Sequence, residues 1–241
     1  MDSAFVFFRM EAADGVAQTA GRKTTIDTCI QALKAAELWT TQFDALVVCR
    51  GKGVGSTKLN WIKDANNALG VVNPAHTEDL GYNSIGTGSY INSKYLPSTQ
   101  AILFTLNNAC WGFKVSGTLG TATIYGALAD TVGTIMMSKN SGNASLNSNY
   151  AVRESYASGY NCLSRSLAAS FDFMKNAGLN TYNQVSGNLC PAEVYMLRLN
   201  YSTPYYSPTT EKLEIYWFGK ALSQAKFLEF QTIMNTYIAS L

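Results

Sequence analysis

Ala109-Cys110-Trp111-Gly112-Phe113-Lys114-Val115-Ser116 alternates over eight residues. Ala109, Trp111, Phe113 and Val115 share one side; Cys110, Gly112, Lys114 and Ser116 share the other. Successive side chains of an extended chain point to opposite faces, so this is a strand whose apolar side faces a core, with Trp111 in that core rather than in a groove. Outward from it, short apolar and aromatic segments recur from residue 59 onward, separated by Gly, Asn, Ser and Pro clusters at roughly 8 to 15 residue intervals. The clearest are Tyr90 to Tyr95, Ala101 to Leu106, Thr121 to Leu128, Thr134 to Ser138, Tyr150 to Ser155, Tyr160 to Ser166, Phe171 to Lys175, Ala192 to Asn200 and Lys212 to Phe218. That rhythm predicts an antiparallel sandwich.

Helices frame the strands. Thr24-Thr25-Ile26-Asp27 reads as an N-cap with an acidic first turn, and Ile26, Ile30 and Leu33 fall on one face, which predicts a helix over about 25 to 37. A short turn from Leu38 to Gln42 then leads into the strand-like Phe43 to Arg50. At the other end Ser223 caps a segment in which Phe227, Phe230, Met234, Tyr237 and Leu241 form a helical stripe, so the chain closes on an amphipathic helix. The organisation expected is an N-terminal arm over 1 to 22, a helical preface with the first strand over 23 to 58, and the sandwich with its terminal helix over 59 to 241.

Composition narrows the function. The 241 residues are 47% hydrophobic and 14% charged, with 18 basic against 16 acidic side chains and a net charge of +2. Disorder is excluded, and an electrostatic nucleic-acid binder is disfavoured. No stretch reaches the ~20 continuous apolar residues of a membrane helix, and Met1-Asp2-Ser3-Ala4 lacks the basic region of a secretory signal. Cys29, Cys49, Cys110, Cys162 and Cys190 have neither CxxC nor CxxxC spacing, so they read as buried small hydrophobes rather than a zinc site or disulfide framework. The Asn-x-Ser sequons at Asn143 and Asn200 carry no weight without a secretory route.

A search for chemistry finds little. Gly51-Lys52-Gly53-Val54-Gly55-Ser56-Thr57 departs from the GxxxxGK[ST] order and reads as a glycine-rich turn. Glycoside hydrolysis needs two carboxylates held across a bond. Here the nearest pairs are Glu78 with Asp79 and Glu211 with Glu214, both spaced to opposite faces of an extended chain. The single histidine, His76, has no nucleophile elbow to serve. Glu78, Asp79 and Asp130 are the acidic loop residues open to a calcium reading, with solvated charges the plainer one. No catalytic residue, metal site or cofactor is expected. Sugar recognition needs exposed aromatics beside amides and hydroxyls, and Tyr205 and Tyr206, on the Pro-bounded loop Tyr201 to Thr209, suit it best. Asn140 to Tyr150 is a second polar loop. Phe5, Val6, Phe7 and Phe8 are too hydrophobic to be left in water, which makes the first 22 residues a candidate assembly arm.

Several stretches resemble the concanavalin-like, laminin-G-like module of structural proteins of tailed bacteriophages. They are Ile30 to Trp39, Gly88 to Thr99, Leu106 to Phe113, Ser164-Arg165-Ser166 with Phe171 to Gly178, and Glu214 to Ala225, together covering about residues 25 to 241. The resemblance implies a mainly β, concanavalin-like jelly-roll sandwich with an N-terminal helix and a C-terminal amphipathic helix. It further implies a non-enzymatic virion protein, as a head decoration, fibre or tail-associated module. Its partners would be other virion proteins, a second copy through the N-terminal arm, or a host glycan, with neither nucleic acid nor membrane. The alternatives are a lectin-like module recognising host glycans and, behind it, a polysaccharide depolymerase.

Overall fold

The computed structural model describes residues 2–71, 74–84, 89–119, 124–129, 133–139, 142–148, 152–201 and 211–241. The chain begins with two helices, α1 (Asp2–Asp14) and α2 (Ala20–Ala35), and then strand β1 (Phe43–Val48). Four short strands follow: β2 (Leu69–Val71), β3 (Ala75–Thr77), β4 (Gly81–Asn83) and β5 (Tyr90–Asn92). After the helical turn α3 (Pro97–Gln100) come β6 (Ala109–Ser116), β7 (Ile124–Ala129), β8 (Gly133–Ser138), β9 (Asn143–Ser148) and β10 (Val152–Arg153). Next are β11 (Gly159–Leu167), β12 (Ser170–Lys175), β13 (Gly178–Asn183), β14 (Tyr195–Met196) and β15 (Leu199–Asn200). Strand β16 (Lys212–Gly219) and helix α4 (Gln224–Ala239) end it.

Among the described residues the strands form two eight-stranded sheets. One runs β13, β12, β11, β6, β16, β4, β3, with β1 also paired to β16; the other runs β10, β9, β8, β7, β14, β5, β2, with β15 parallel to β7. The fold is therefore the mainly β, concanavalin-like jelly-roll sandwich expected, with a helix at each end of the chain. Helices α1, α2 and α4 cover the outer face of the first sheet, giving three layers in all.

The alternation of β6 assigns its residues to two different cores. Ala109, Trp111, Phe113 and Val115 lie between the sheets with Tyr125, Ile135, Leu146, Leu163 and Phe218. Cys110 belongs instead to the core between the first sheet and the helices. Gly112 sits where a Cβ would overlap the Trp217 ring, so only glycine lets that indole lie flat over β6. Trp217 then meets Phe230 of α4 edge-on at 4.8 Å, and burying each such ring contributes roughly 1.5 to 3 kcal/mol. All five cysteines are buried and none forms a disulfide.

Helix α4 starts as expected: the Ser223 side chain accepts a hydrogen bond from the Lys226 amide, and Phe227, Phe230, Met234 and Tyr237 are buried. Other elements differ from expectation. The first long helix begins at Ala20, capped by Thr19 rather than Thr24. The stretch 101–104, expected as a strand, is irregular. Buried Asp44 draws it in, taking hydrogen bonds from the Ile102, Leu103 and Phe104 amides, so these groups are unavailable to a ladder. Strands β9 and β13 went unexpected because Asn143–Ser148 and Gly178–Asn183 are dominated by Asn, Ser and Thr. The arm expected over 1–22 is, from Asp2 to Asp14, a helix laid on this chain's own core, with Val6 and Met10 buried. Phe7 packs partly against that core, whereas Phe5 is 41% and Phe8 73% exposed.

The glycine turn finds its reason here too. A Cβ at Gly53 would fall on the Asp14 carboxylate and one at Gly55 on the Ala13 carbonyl. These glycines let the loop close over the end of α1, where the Asp14 carboxylate accepts from the Ser56 amide at 2.8 Å.

Candidate functional site

Helices α1, α2 and α4 cover most of the outer face of the first sheet, leaving its edge strand β13 exposed, and the broad open surface of the sandwich is the outer face of the second sheet and its rim. On β5 and β14 the alternation turns Ile91 and Met196 into the core and Tyr90, Asn92 and Tyr195 to the other side, where the tyrosines are partly exposed and Asn92 is buried beside them. Tyr195 pairs directly with Asn92, and its ring stacks on the diagonal neighbour Tyr90, centroids 4.5 Å apart. The Arg198 guanidinium lies 4.7 Å from the Tyr90 centroid, adding a cation–π contact to the pair. Burial, with a hydrogen bond to Tyr90 behind it, pushes the Tyr195 hydroxyl up to about 12, so it stays protonated and able to donate.

Polar groups extend this aromatic platform into a groove. Glu193 accepts from the Asn92 amide at 2.6 Å and from Lys94 at 3.5 Å. Beyond it opens a groove of about 490 Å³ lined by Lys63, Asn66, Lys94, Gln100, Ile102 and Glu193. Asn66, at φ +56°, donates to the Lys94 carbonyl at 2.8 Å and to the Gln100 amide oxygen at 2.7 Å. Ile102 is 73% exposed on the rim.

The walls are fixed from beneath. Arg9 of α1, buried to 7% exposure, donates to the Asn60 and Lys63 carbonyls and to the Asn67 side chain, and pairs with Asp64 at 2.9 Å. Asn60, fully buried, donates to the Ala65 carbonyl and accepts from the Leu46 and Ile62 amides. The segment 60–67 is thus a hydrogen-bonded knot held between α1 and β1. Asp44 performs the same service for 101–104. A groove lined by two lysines, one glutamate and the Asn66 and Gln100 amides, beside stacked tyrosines, can hold a polyhydroxylated ring: apolar C–H faces on the aromatics, hydroxyls on the amides and charged groups.

The residues singled out from sequence are distributed differently. Tyr205 and Tyr206 lie outside the described residues, as do Asn140, Ser141, Asn149 and Tyr150 of the second polar loop and Asp130 of the acidic candidates. The first of these loops leaves the second sheet at Asn200, whose amide donates to the Glu193 carbonyl, so it starts beside the groove. Phe5, Val6, Phe7 and Phe8 all lie on α1. His76 is on β3 and half-buried against the Tyr82 ring at 4.9 Å. Asp79 is paired with Arg22 at 2.7 Å. Glu211 and Glu214 are indeed apart: Glu211 accepts from Tyr125 and Tyr156 in the inter-sheet core, while Glu214 pairs with Arg50 and Lys114. No group of three His, Cys, Asp or Glu able to hold a metal occurs among the described residues. Sequence reasoning missed Tyr90 and Tyr195 because 105 residues of chain separate them. The signal present was an aromatic on the polar side of two short strands.

No family model and no curated protein sequence matches this chain. Solved structures do. The chain is similar to the binding domain of botulinum neurotoxin serotype D, with a TM-score of 0.56 and 9% identity over 83% of this chain and 52% of that one. A separate structure of the receptor binding domain of botulinum neurotoxin D gives 0.54 and 10% over 79% and 52%. Trypanosoma rangeli sialidase in complex with sialic acid gives 0.57 and 9% over 89% of this chain and 39% of that one. This chain thus spans about half the length of the toxin domains and about two fifths of the sialidase. What it shares with them, at such identity, is the fold of a β-sandwich.

Proposed function

We propose that the protein is a carbohydrate-binding β-sandwich module that holds a glycan across the Tyr90–Tyr195 platform and the adjoining groove. The observation that carries the reading is the stacked pair itself, two outward tyrosines joined by Arg198 and flanked by Asn92 and Glu193. Among the similar structures, the sialidase in complex with sialic acid supports a sugar as ligand, and the two toxin domains support a binding role. We take the module to bind without cleaving: among the described residues Glu193 is the one acid lining the groove, whereas the common two-carboxylate route of glycoside hydrolysis needs a second. The placement of the protein on a phage virion rests on the sequence resemblance.

The test is a glycan array followed by calorimetric titration of the best oligosaccharide. Saturable binding is expected, weakened about tenfold or more by Tyr195→Ala, a loss of ~1.4 kcal/mol. The thermal midpoint should be little changed, and incubation should release no reducing ends. Absence of saturable binding, or affinity indifferent to Tyr195→Ala and to Asn66→Ala, refutes the assignment. Affinity lost only on Tyr205→Ala or Tyr206→Ala moves the site to the neighbouring loop.

A further inference from the structure

Helix α1 is apolar on more of its circumference than one core requires. Val6 and Met10 face the chain's own core and Phe7 packs partly against it, yet Ala4, Phe5, Phe8 and Ala12 are exposed, Phe8 to 73%. A surface helix ordinarily keeps its outer face polar, and one that is apolar nearly all round is a buried helix. The Asp2–Lys34 and Glu11–Lys23 ion pairs run α1 antiparallel along α2, and α2 packs in turn on α4. Between α2 and α4 the same helix layer carries an apolar groove of about 310 Å³, whose lining includes Thr28, Ala32, Ile233 and Thr236.

We propose that two copies of this chain associate through their helix layers, with Phe8 of each copy seated in the α2–α4 groove of the other. One chain carries both the knob and the hole. A two-fold axis therefore makes both contacts at once and closes the assembly. The hole is large enough, because a cavity of roughly 150 Å³ already admits benzene. The area suffices as well. Helices α2 and α4, of 16 residues, are ~24 Å long and α1, of 13, is ~20 Å, so the three side by side at ~9 Å spacing present about 610 Å². Two such faces bury about 1,200 Å², at the lower end of the range of specific stable interfaces. Thr-lined walls suit this use: their methyl groups pack against a ring, while their hydroxyls bond back to their own helix, as Thr24, Thr232 and Thr236 do.

The inference stands apart from the sugar-binding assignment, so its test contains no sugar. Sedimentation velocity on the chain, from about 1 to 200 µM, is expected to show a species of twice the 26.2 kDa chain mass. Phe8→Glu and Thr28→Arg, both at exposed positions where folding is not at risk, should each weaken association about a hundredfold. An equimolar mixture of the two variants should recover part of it. In that mixture one native Phe8 contact forms, and the carboxylate introduced in one copy faces the guanidinium introduced in the other. A wild-type monomer at 200 µM overturns the proposal, as does a dimer indifferent to both variants or a mixture no better than either alone. A monomer that instead binds vesicles of anionic phospholipid through Phe8 also overturns it and assigns the apolar face to lipid.

Discussion

Removing the Asp44 carboxylate tests how the groove is held. Asp44 is 3% exposed, and one of its oxygens lies 3.0 Å from the Tyr95 hydroxyl, 3.2 Å from the Ile102 amide, 3.0 Å from that of Leu103 and 2.9 Å from that of Phe104. Not all four donors are lost equally on Asp44→Ala. Ile102 is exposed and Leu103 half-buried, so their amides can turn to water, whereas Phe104 and Tyr95 are buried and would be left unsatisfied. Two stranded donors at ~1 to 3 kcal/mol each, less what is recovered by no longer burying a carboxylate, give a destabilisation of about 3 kcal/mol. Asp44→Asn keeps one acceptor and forfeits the charge, for about 1.5 kcal/mol. Tyr95→Phe removes one donor and leaves the carboxylate three amides, for about 1 kcal/mol. Urea unfolding of the wild type and the three variants measures the series. If Asp44→Ala costs less than 1 kcal/mol, or no more than Tyr95→Phe, the segment 101–104 is fixed by something other than this carboxylate.

Two further outcomes follow from buried charge. Arg165 is fully buried; its Nε donates to the Leu146 carbonyl, and its Nη1 lies within hydrogen-bond distance of the Leu167, Ala168, Ser170 and Gln184 carbonyls. Burial lowers the guanidinium to about 10, still charged at neutral pH, so Arg165→Met should cost about 3 kcal/mol by urea unfolding, and Arg165→Lys nearly as much because one ammonium cannot span the ring of carbonyls. Burial likewise lowers the His76 imidazole below its ordinary 6.5, against the pull of Asp14, Asp79 and Glu78. A lowered histidine binds fewer protons folded than unfolded. Its contribution is therefore full above 6.5 and is lost as pH falls through the lowered value, and His76→Gln should flatten the fall in thermal midpoint just below pH 6.5.

The elements legible in the sequence are those whose reason is local. The β6 alternation and the Ser223 cap need only a few adjacent residues, and both stand in the structure. Helix α2 starts five residues before the predicted position because Thr24 and Thr25 offer the same hydroxyl as Thr19, and spacing alone does not say which one caps. The segment 101–104 carries strand-like residues, yet its amides answer to Asp44, more than fifty positions earlier. No periodicity encodes that partnership. The site is illegible for the same reason: Tyr90, Tyr195 and Arg198 meet only once β5 and β14 pair, and Asn66 joins them only because Arg9 and Asn60 tie down its loop.

Arg9 also connects the two surfaces of the molecule. On α1 it is one residue from Phe8, but the helical turn sends it inward to the Asn60 and Lys63 carbonyls while Phe8 points out. The helix that offers an apolar face to a second copy is therefore the helix that braces a wall of the groove. The Tyr90–Tyr195 platform, on the outer face of the second sheet, belongs to the layer farthest from the helices. Two copies joined at their helix layers would turn their platforms to opposite faces of the dimer, each free to meet a different glycan chain. Sites placed back to back bridge separate glycans instead of gripping one surface together, because avidity rises only where both sites can engage the same ligand array at once. On that argument the exposed phenylalanines are not a defect of α1; they would join two sugar sites into one cross-linking pair.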